Sequence, residues 1–178
     1  MKQADFLHWK RTYIGLGANL GNRIENCIKA LGLLSGHPEI EVLRCSRWYE
    51  TEPVEIDTSR WFINAVAEMI TALGPEDLLA NLLAIEKALG RDRQKTEDRP
   101  IDLDLLFMEG VFMRTFNHQI QVPHPRLSGR RFVLIPWAEL APDLFLAPWN
   151  RTVSELLAGL PEDGPKVRKL NRKETRKG

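Results

Sequence analysis

The chain has 178 residues, 43% of them hydrophobic and 28% charged, with a formal net charge of +1. That length and apolar share suit one globular domain with a sizeable core and exclude two full domains. Two cysteines make no disulfide framework, no apolar run reaches the roughly 20 residues that span a bilayer, and residues 1–11 do not read as a signal peptide, so a cytoplasmic protein without membrane contact is expected.

Thr12-Tyr13-Ile14-Gly15-Leu16-Gly17 reads as a strand running into a glycine turn. A helix is predicted over residues 22–34, where Ile24, Cys27, Ile28, Leu31 and Leu34 recur at helical spacing before Gly36 and Pro38. Residues 39–49 alternate as a second strand, 51–59 form a polar loop, and 61–71 form a third strand. Pro75, Glu76 and Asp77 suit the first turn of a second helix, with Leu78, Leu79, Leu82, Leu83, Ile85 and Leu89 as its buried stripe and Gly90 as its end. A charged loop over 91–100 leads to a strand over 101–108, with 111–113 as a hairpin partner. A loop over 122–129 follows, then a strand or extended segment over 131–138, a short helix over 152–160 and a last strand over 167–170. Strands and helices mixed without regular βαβ alternation predict an α+β sandwich with a mainly antiparallel sheet. The domain is placed at 1–164, with 1–11 as an extension and 165–178 as a basic tail of seven Lys or Arg against one Glu. Such a tail either grips an anionic surface or is a solvated terminus, the commoner case.

Ile101-Asp102-Leu103-Asp104-Leu105 is the most informative stretch. Strand side chains alternate, so the three apolar residues point to the core while Asp102 and Asp104 share the opposite face, about 7 Å apart. Two carboxylates that close repel unless a cation lies between them, and Mg²⁺ is commonly held by one or two carboxylates plus substrate phosphates. Arg91, Arg93 and Arg99 precede the pair, and Arg126, Arg130 and Arg131 follow it. Guanidinium forks match phosphate geometry, so acids and arginines together suit a nucleotide–Mg²⁺ complex. Glu86 borders the buried stripe of its helix, either snorkelling or paired, with an Arg of the next loop as one candidate partner. His124, between Pro123 and Pro125, is either structural or phosphate-facing. No Gly-x-x-x-x-Gly-Lys-Ser/Thr loop occurs, and the run Gly15, Gly17, Gly21 misses the dinucleotide fingerprint by one place.

In order and spacing, several blocks resemble the 6-hydroxymethyl-7,8-dihydropterin pyrophosphokinase family. They are Tyr13 to Gly21, Ser46 to Pro53, Phe62 to Val66, Ile85-Glu86, Gly90 to Arg93, Arg99, Ile101 to Leu105, Val122 to Leu127, Arg130, Phe132 and Ala141-Pro142-Asp143. The resemblance implies a ferredoxin-like αβα sandwich, a monomer, and diphosphate transfer from ATP to the pterin hydroxymethyl group in folate biosynthesis. It implies two Mg²⁺ ions on Asp102 and Asp104, and Arg91 and Arg99 neutralising charge on the transferred group. It places Glu86, Arg93, His124 and Arg130 on the ATP side. Phe62 and Phe132 would sandwich the pterin, and Asn64 with Thr51, Pro53 and Val54 would read its edge. It also implies three loops over the site, 17–21, 50–60 and 91–100, of which the third lacks the family's Arg-Trp-Gly-Pro-Arg. The alternatives are a non-catalytic pterin- or nucleotide-binding paralogue and an RNA-binding ferredoxin-like module, the latter giving the two acids no purpose.

Overall fold

The computed structural model describes residues 8–92, 97–114 and 121–175. In chain order the elements are β1 (Lys10–Ala18), α1 (Arg23–Ser35), β2 (Ile40–Cys45), β3 (Tyr49–Thr51), β4 (Phe62–Thr71), α2 (Pro75–Ala88) and β5 (Asp102–Met108). There follow β6 (Met113–Arg114), β7 (Gln121–Val122), α3 (Arg131–Leu140), β8 (Phe145–Leu146), β9 (Arg151–Thr152), α4 (Val153–Ala158), β10 (Val167–Lys169) and α5 (Arg172–Thr175). The main sheet runs β10-β3-β4-β1-β5, with β2 also on β4, and all its pairings are antiparallel. This is the ferredoxin-like βαββαβ arrangement, its second strand split into β2 and β3.

The split has a local cause. Ser46 follows β2 and turns its hydroxyl onto the Val66 N–H at 3.0 Å, while its own N–H donates to the Val66 carbonyl at 2.9 Å. The side chain thus replaces a ladder bond where the strand breaks, so the single strand expected over 39–49 becomes two.

Helices cover both faces. On one, α1 and α2 send Cys27, Ala30, Leu34, Leu78, Leu82 and Ile85 onto Ile14, Leu16, Met69, Leu103 and Leu105. On the other, α3 and α4 pack Leu134, Trp137, Val153 and Leu156 against Tyr13, Val66 and Leu106. β4 is accordingly buried from Phe62 to Met69.

Residues 131–138, expected as a strand or extended segment, are the body of α3. Phe132, Val133 and Ile135 suggest a strand, and Pro136 suggests against a helix. The burial of Val133, Trp137 and Leu140, spaced by four and three, has the helical period, and packing on the sheet outweighs propensity. The last strand expected over 167–170 is present as β10, paired with β3 in the register Val167↔Thr51, Arg168↔Glu50, Lys169↔Tyr49. No helix among the described residues is long and apolar enough to cross a membrane.

Candidate active site

Sheet register builds the floor of the site. Gly17 lies between Asp102 of β5 and Asn64 of β4, and Gly15 lies between Asp104 and Val66. Directly opposed residues share a face, so two positions without side chains separate the carboxylates from Asn64. The approach is close: a Cβ on Gly17 would stand 3.0 Å from Asn64 Oδ1 and 3.7 Å from Asp102 Cβ. Above this floor, where α3 begins, lies a cavity of about 370 Å³. That is the size of a small-molecule site.

Its acidic end is dense with charge. Asp102 Oδ1 accepts from Arg91 Nη1, and its Oδ2 lies 3.0 Å from Arg99 Nη2. Glu86, 1% exposed, accepts from Arg91 at 2.7 Å and from the Leu103 backbone N–H at 2.8 Å. It therefore ties α2 to β5 and fixes the arginine that reaches Asp102. Burial, reinforced by the neighbouring Asp102 charge, pushes the Asp104 carboxyl up to about 6. Arg99 Nε is buried and finds no hydrogen-bond acceptor among the described residues, a donor that suits a phosphate oxygen.

The two carboxylates fit a hard divalent cation. Among the described residues no group of three or more His, Cys, Asp and Glu could hold a metal, so an ion on Asp102 and Asp104 would complete its shell from phosphate and water. That donor set suits Mg²⁺ rather than zinc.

The opposite end is aromatic and amide. Phe62 and Phe132 line the cavity, with the Arg99 guanidinium 5.1 Å from the centroid of the first ring and the Arg130 guanidinium 5.5 Å from that of the second. Asn64 Nδ2 donates to Thr51 Oγ1 at 2.7 Å, which leaves Oδ1 to face the site beside Gly17.

Loops interlock over the cavity. Asn19 donates to Asp98 at 2.6 Å, and Arg99 N–H donates to Asn19 Oδ1 at 2.7 Å. Arg60 meets Asp98 at 3.1 Å, and Glu55 Oε2 lies 3.1 Å from Arg130 and 3.3 Å from Arg126.

Thr51, Val54, Phe62, Asn64, Arg91, Arg99, Asp102, Asp104, Arg130 and Phe132 therefore line one cavity. Pro53, Glu86 and His124 do not, and Arg93 lies outside the described residues. The His124 imidazole is pushed down to about 4 by burial first, then by Arg130 and Arg126, and is neutral at pH 7. Its Nδ1 accepts from the Arg126 N–H at 3.3 Å, so the proton sits on Nε2. Arg126, one of the arginines expected to face phosphate, also lines the cavity, as do Gly17 and Glu55 of two loops expected over the site; Gly15, Val66 and Val133 are walls that sequence reasoning missed. Gly15 reads locally only as part of a strand running into a turn, since its role depends on register with two distant strands.

The chain is similar in sequence and fold to known proteins. A family model described as 7,8-dihydro-6-hydroxymethylpterin-pyrophosphokinase matches residues 13–142. The 2-amino-4-hydroxy-6-hydroxymethyldihydropteridine pyrophosphokinase of Methylorubrum extorquens is 39% identical over 155 residues, covering 86% of this chain and 96% of the relative. The enzyme of the same name from Bacillus subtilis is 40% identical over 129 residues, 72% of this chain and 76% of the relative. Among solved structures, wild-type Plasmodium falciparum HPPK-DHPS with pteroate superposes with a TM-score of 0.69 at 13% identity, over 84% of this chain and 44% of that one. That likeness speaks to the fold, and this chain spans less than half of the larger protein. The chain belongs to the 7,8-dihydro-6-hydroxymethylpterin-pyrophosphokinase family.

Proposed function

We propose that the chain transfers diphosphate from ATP to the hydroxymethyl group of 6-hydroxymethyl-7,8-dihydropterin in folate biosynthesis. The observation that carries this reading is one cavity with Asp102, Asp104, Arg91 and Arg99 at one end and Phe62, Phe132 and Asn64 at the other. The pterin hydroxyl oxygen forms a bond to the β-phosphorus and gives up its proton to water, the bond from that phosphorus to the α–β bridging oxygen breaks, and AMP leaves. ATP is the co-substrate.

In this proposal Asp102 and Asp104 hold two Mg²⁺ ions, which supply phosphate charge neutralisation and a lowered hydroxyl pKa. Arg91 and Arg99 balance charge on the transferred group, and Glu86 holds Arg91 in place. Arg130, with Arg93 and the Nε2 proton of His124, serves the ATP side. Phe62 and Phe132 clasp the flat ring, and Asn64 reads its edge with the Thr51, Pro53 and Val54 segment. Positioning and charge stabilisation do most of the work in phosphoryl transfer. The protein would act as a cytoplasmic monomer; that it takes no nucleic acid is supported by the pairing of Lys166, Arg168 and Lys169 with acids of the same chain. The non-catalytic and RNA-binding alternatives find no support in the family match.

The test is an assay for AMP with ATP, Mg²⁺ and the reduced pterin. AMP formation that depends on the pterin is expected; formation of ADP, or no AMP in a single turnover, overturns the reading. Two substitutions probe the pterin end. Phe132→Ala should raise the pterin KM more than the ATP KM, and equal effects would count against stacking. Gly17→Ala should act in the same sense by pressing on Asn64 Oδ1, by roughly tenfold, the scale of one lost hydrogen bond. An unchanged pterin KM would show that the amide does not touch the substrate.

A further inference from the structure

The basic segment that closes the chain has no role in the reaction above, yet it lies against the strand that carries Thr51. β3 is three residues long and is enclosed by β4 on one side and β10 on the other. Without β10 it would be a short edge strand between the break at Ser46 and the loop over 52–60.

Charge continues the contact. Arg168 Nη2 donates to Glu50 Oε2 at 2.7 Å, and its Nη1 donates to Glu174 at 2.5 Å. The other oxygen of Glu50 accepts from Arg23 Nη2 at 2.8 Å. Arg23 Nη1 donates to the Trp61 carbonyl at 2.7 Å, immediately before Phe62. Glu52 N–H donates to the Lys166 carbonyl at 3.0 Å, and Lys166 N–H donates to Glu52 Oε2 at 2.8 Å. Tyr49 O–H donates to Glu139, which also takes Lys169 at 3.1 Å. Burial opposes the charge of Glu50, but hydrogen bonds from Arg168 and Arg23 hold its carboxyl below the usual range. Tyr49, Glu50 and Thr51 are thus held by β10, in the ladder or through a side chain, and Glu52 by Lys166 just before it.

We propose that β10 is a positioning element for the pterin end of the cavity, acting through Arg168, Glu50 and Arg23 on Thr51 and Phe62. This rests on the proposed function, since it assigns the wall being positioned to the pterin. The relay joins both chain segments that wall the ring, because Thr51 follows Glu50 and Phe62 follows Trp61. It reaches neither Asp102 nor Asp104, so its loss should be felt on one substrate only.

The test uses the full chain with Arg168→Ala, Arg168→Lys, Glu50→Gln and the Arg168→Ala/Glu50→Gln pair. Arg168 is half exposed, and exposed ion pairs are weak, so Arg168→Ala should raise the pterin KM about threefold to fivefold. The ATP KM and kcat should move much less. Arg168→Lys should restore most of the loss, and the double variant should be no worse than the more affected single one. Hydrogen exchange without substrates should quicken in residues 49–52 and 61–64, leaving β1, β5 and α2 as they were. An unchanged pterin KM, equal rises for both substrates, or faster exchange across the whole sheet overturns the proposal. Should the unaltered protein release no AMP, the proposed function falls, and the exchange pattern alone decides whether β10 holds that wall.

Discussion

Replacing Asp104 with asparagine should abolish turnover and yet stabilise the metal-free protein. Burial and the adjacent Asp102 raise the Asp104 carboxyl from 3.8 to about 6, so the fold favours its protonated form. That contribution to stability is complete below about pH 4 and is lost as pH rises through 6. At pH 7.5 the wild-type protein carries a charged, crowded carboxylate that asparagine does not reproduce. We expect a gain of about 1–2 kcal/mol, less than the full shift implies because the group is partly exposed. For a chain of this length that corresponds to a rise in Tm of about 3–6 °C. Scanning calorimetry in chelator should show the gain at pH 7.5 and a smaller one at pH 5. Mg²⁺ with a non-hydrolysable ATP analogue should then raise the Tm of the wild type more than that of the variant. Turnover should fall by at least roughly 10³, since a proposed ligand of the metal is gone. Asp102→Ala should lose activity as severely, with the added release of Arg91 and Arg99. A variant of normal turnover, or one less stable at pH 7.5, would remove the metal assignment.

Glu86→Ala should be the most damaging substitution for the fold. The carboxylate is almost fully enclosed, and it answers both the Arg91 guanidinium and the Leu103 N–H. Its removal deprives a largely buried cation of one partner and leaves a backbone donor of β5 unsatisfied. Breaking a buried pair in this way costs about 3–5 kcal/mol. A fall in Tm on the order of 10 °C follows. Activity at a temperature where the variant is folded should also drop by about 10² or more, because Arg91, the proposed phosphate partner, loses the carboxylate that aims it. Glu86→Gln should lie between, keeping an acceptor for Leu103 while losing the charge. A loss below 1 kcal/mol would mean that Arg91 finds another acid.

Much of this was legible in the sequence because the informative patterns are local. Alternation placed Asp102 and Asp104 on one face, with Ile101, Leu103 and Leu105 in the core. Helical spacing placed Glu86 at the border of its stripe, and the named alternative, an arginine of the next loop, is the partner found. The misreadings occur where tertiary contacts decide. α3 contains β-branched residues and Pro136, and only its packing on Tyr13, Val66 and Leu106 makes it a helix. Ser46 breaks a strand by a side-chain bond to β4 that no local pattern announces. The closeness of Gly17 to Asn64 and the pairing of β10 with β3 each require register between segments far apart in the chain. Glu55 falls in a loop expected over the site, but its partners Arg126 and Arg130, more than seventy residues downstream, have no local signal.

The register of β1 has a kinetic consequence. Gly17 meets Asn64 and Asp102 only once β1 has paired with both β4 and β5, and the pairing with β5 closes a loop of about ninety residues. Such non-local pairing is slow, and half-built species hold neither the acids nor the aromatics in place. Ligands therefore recognise only the finished chain, and their presence should retard unfolding without hastening its reversal.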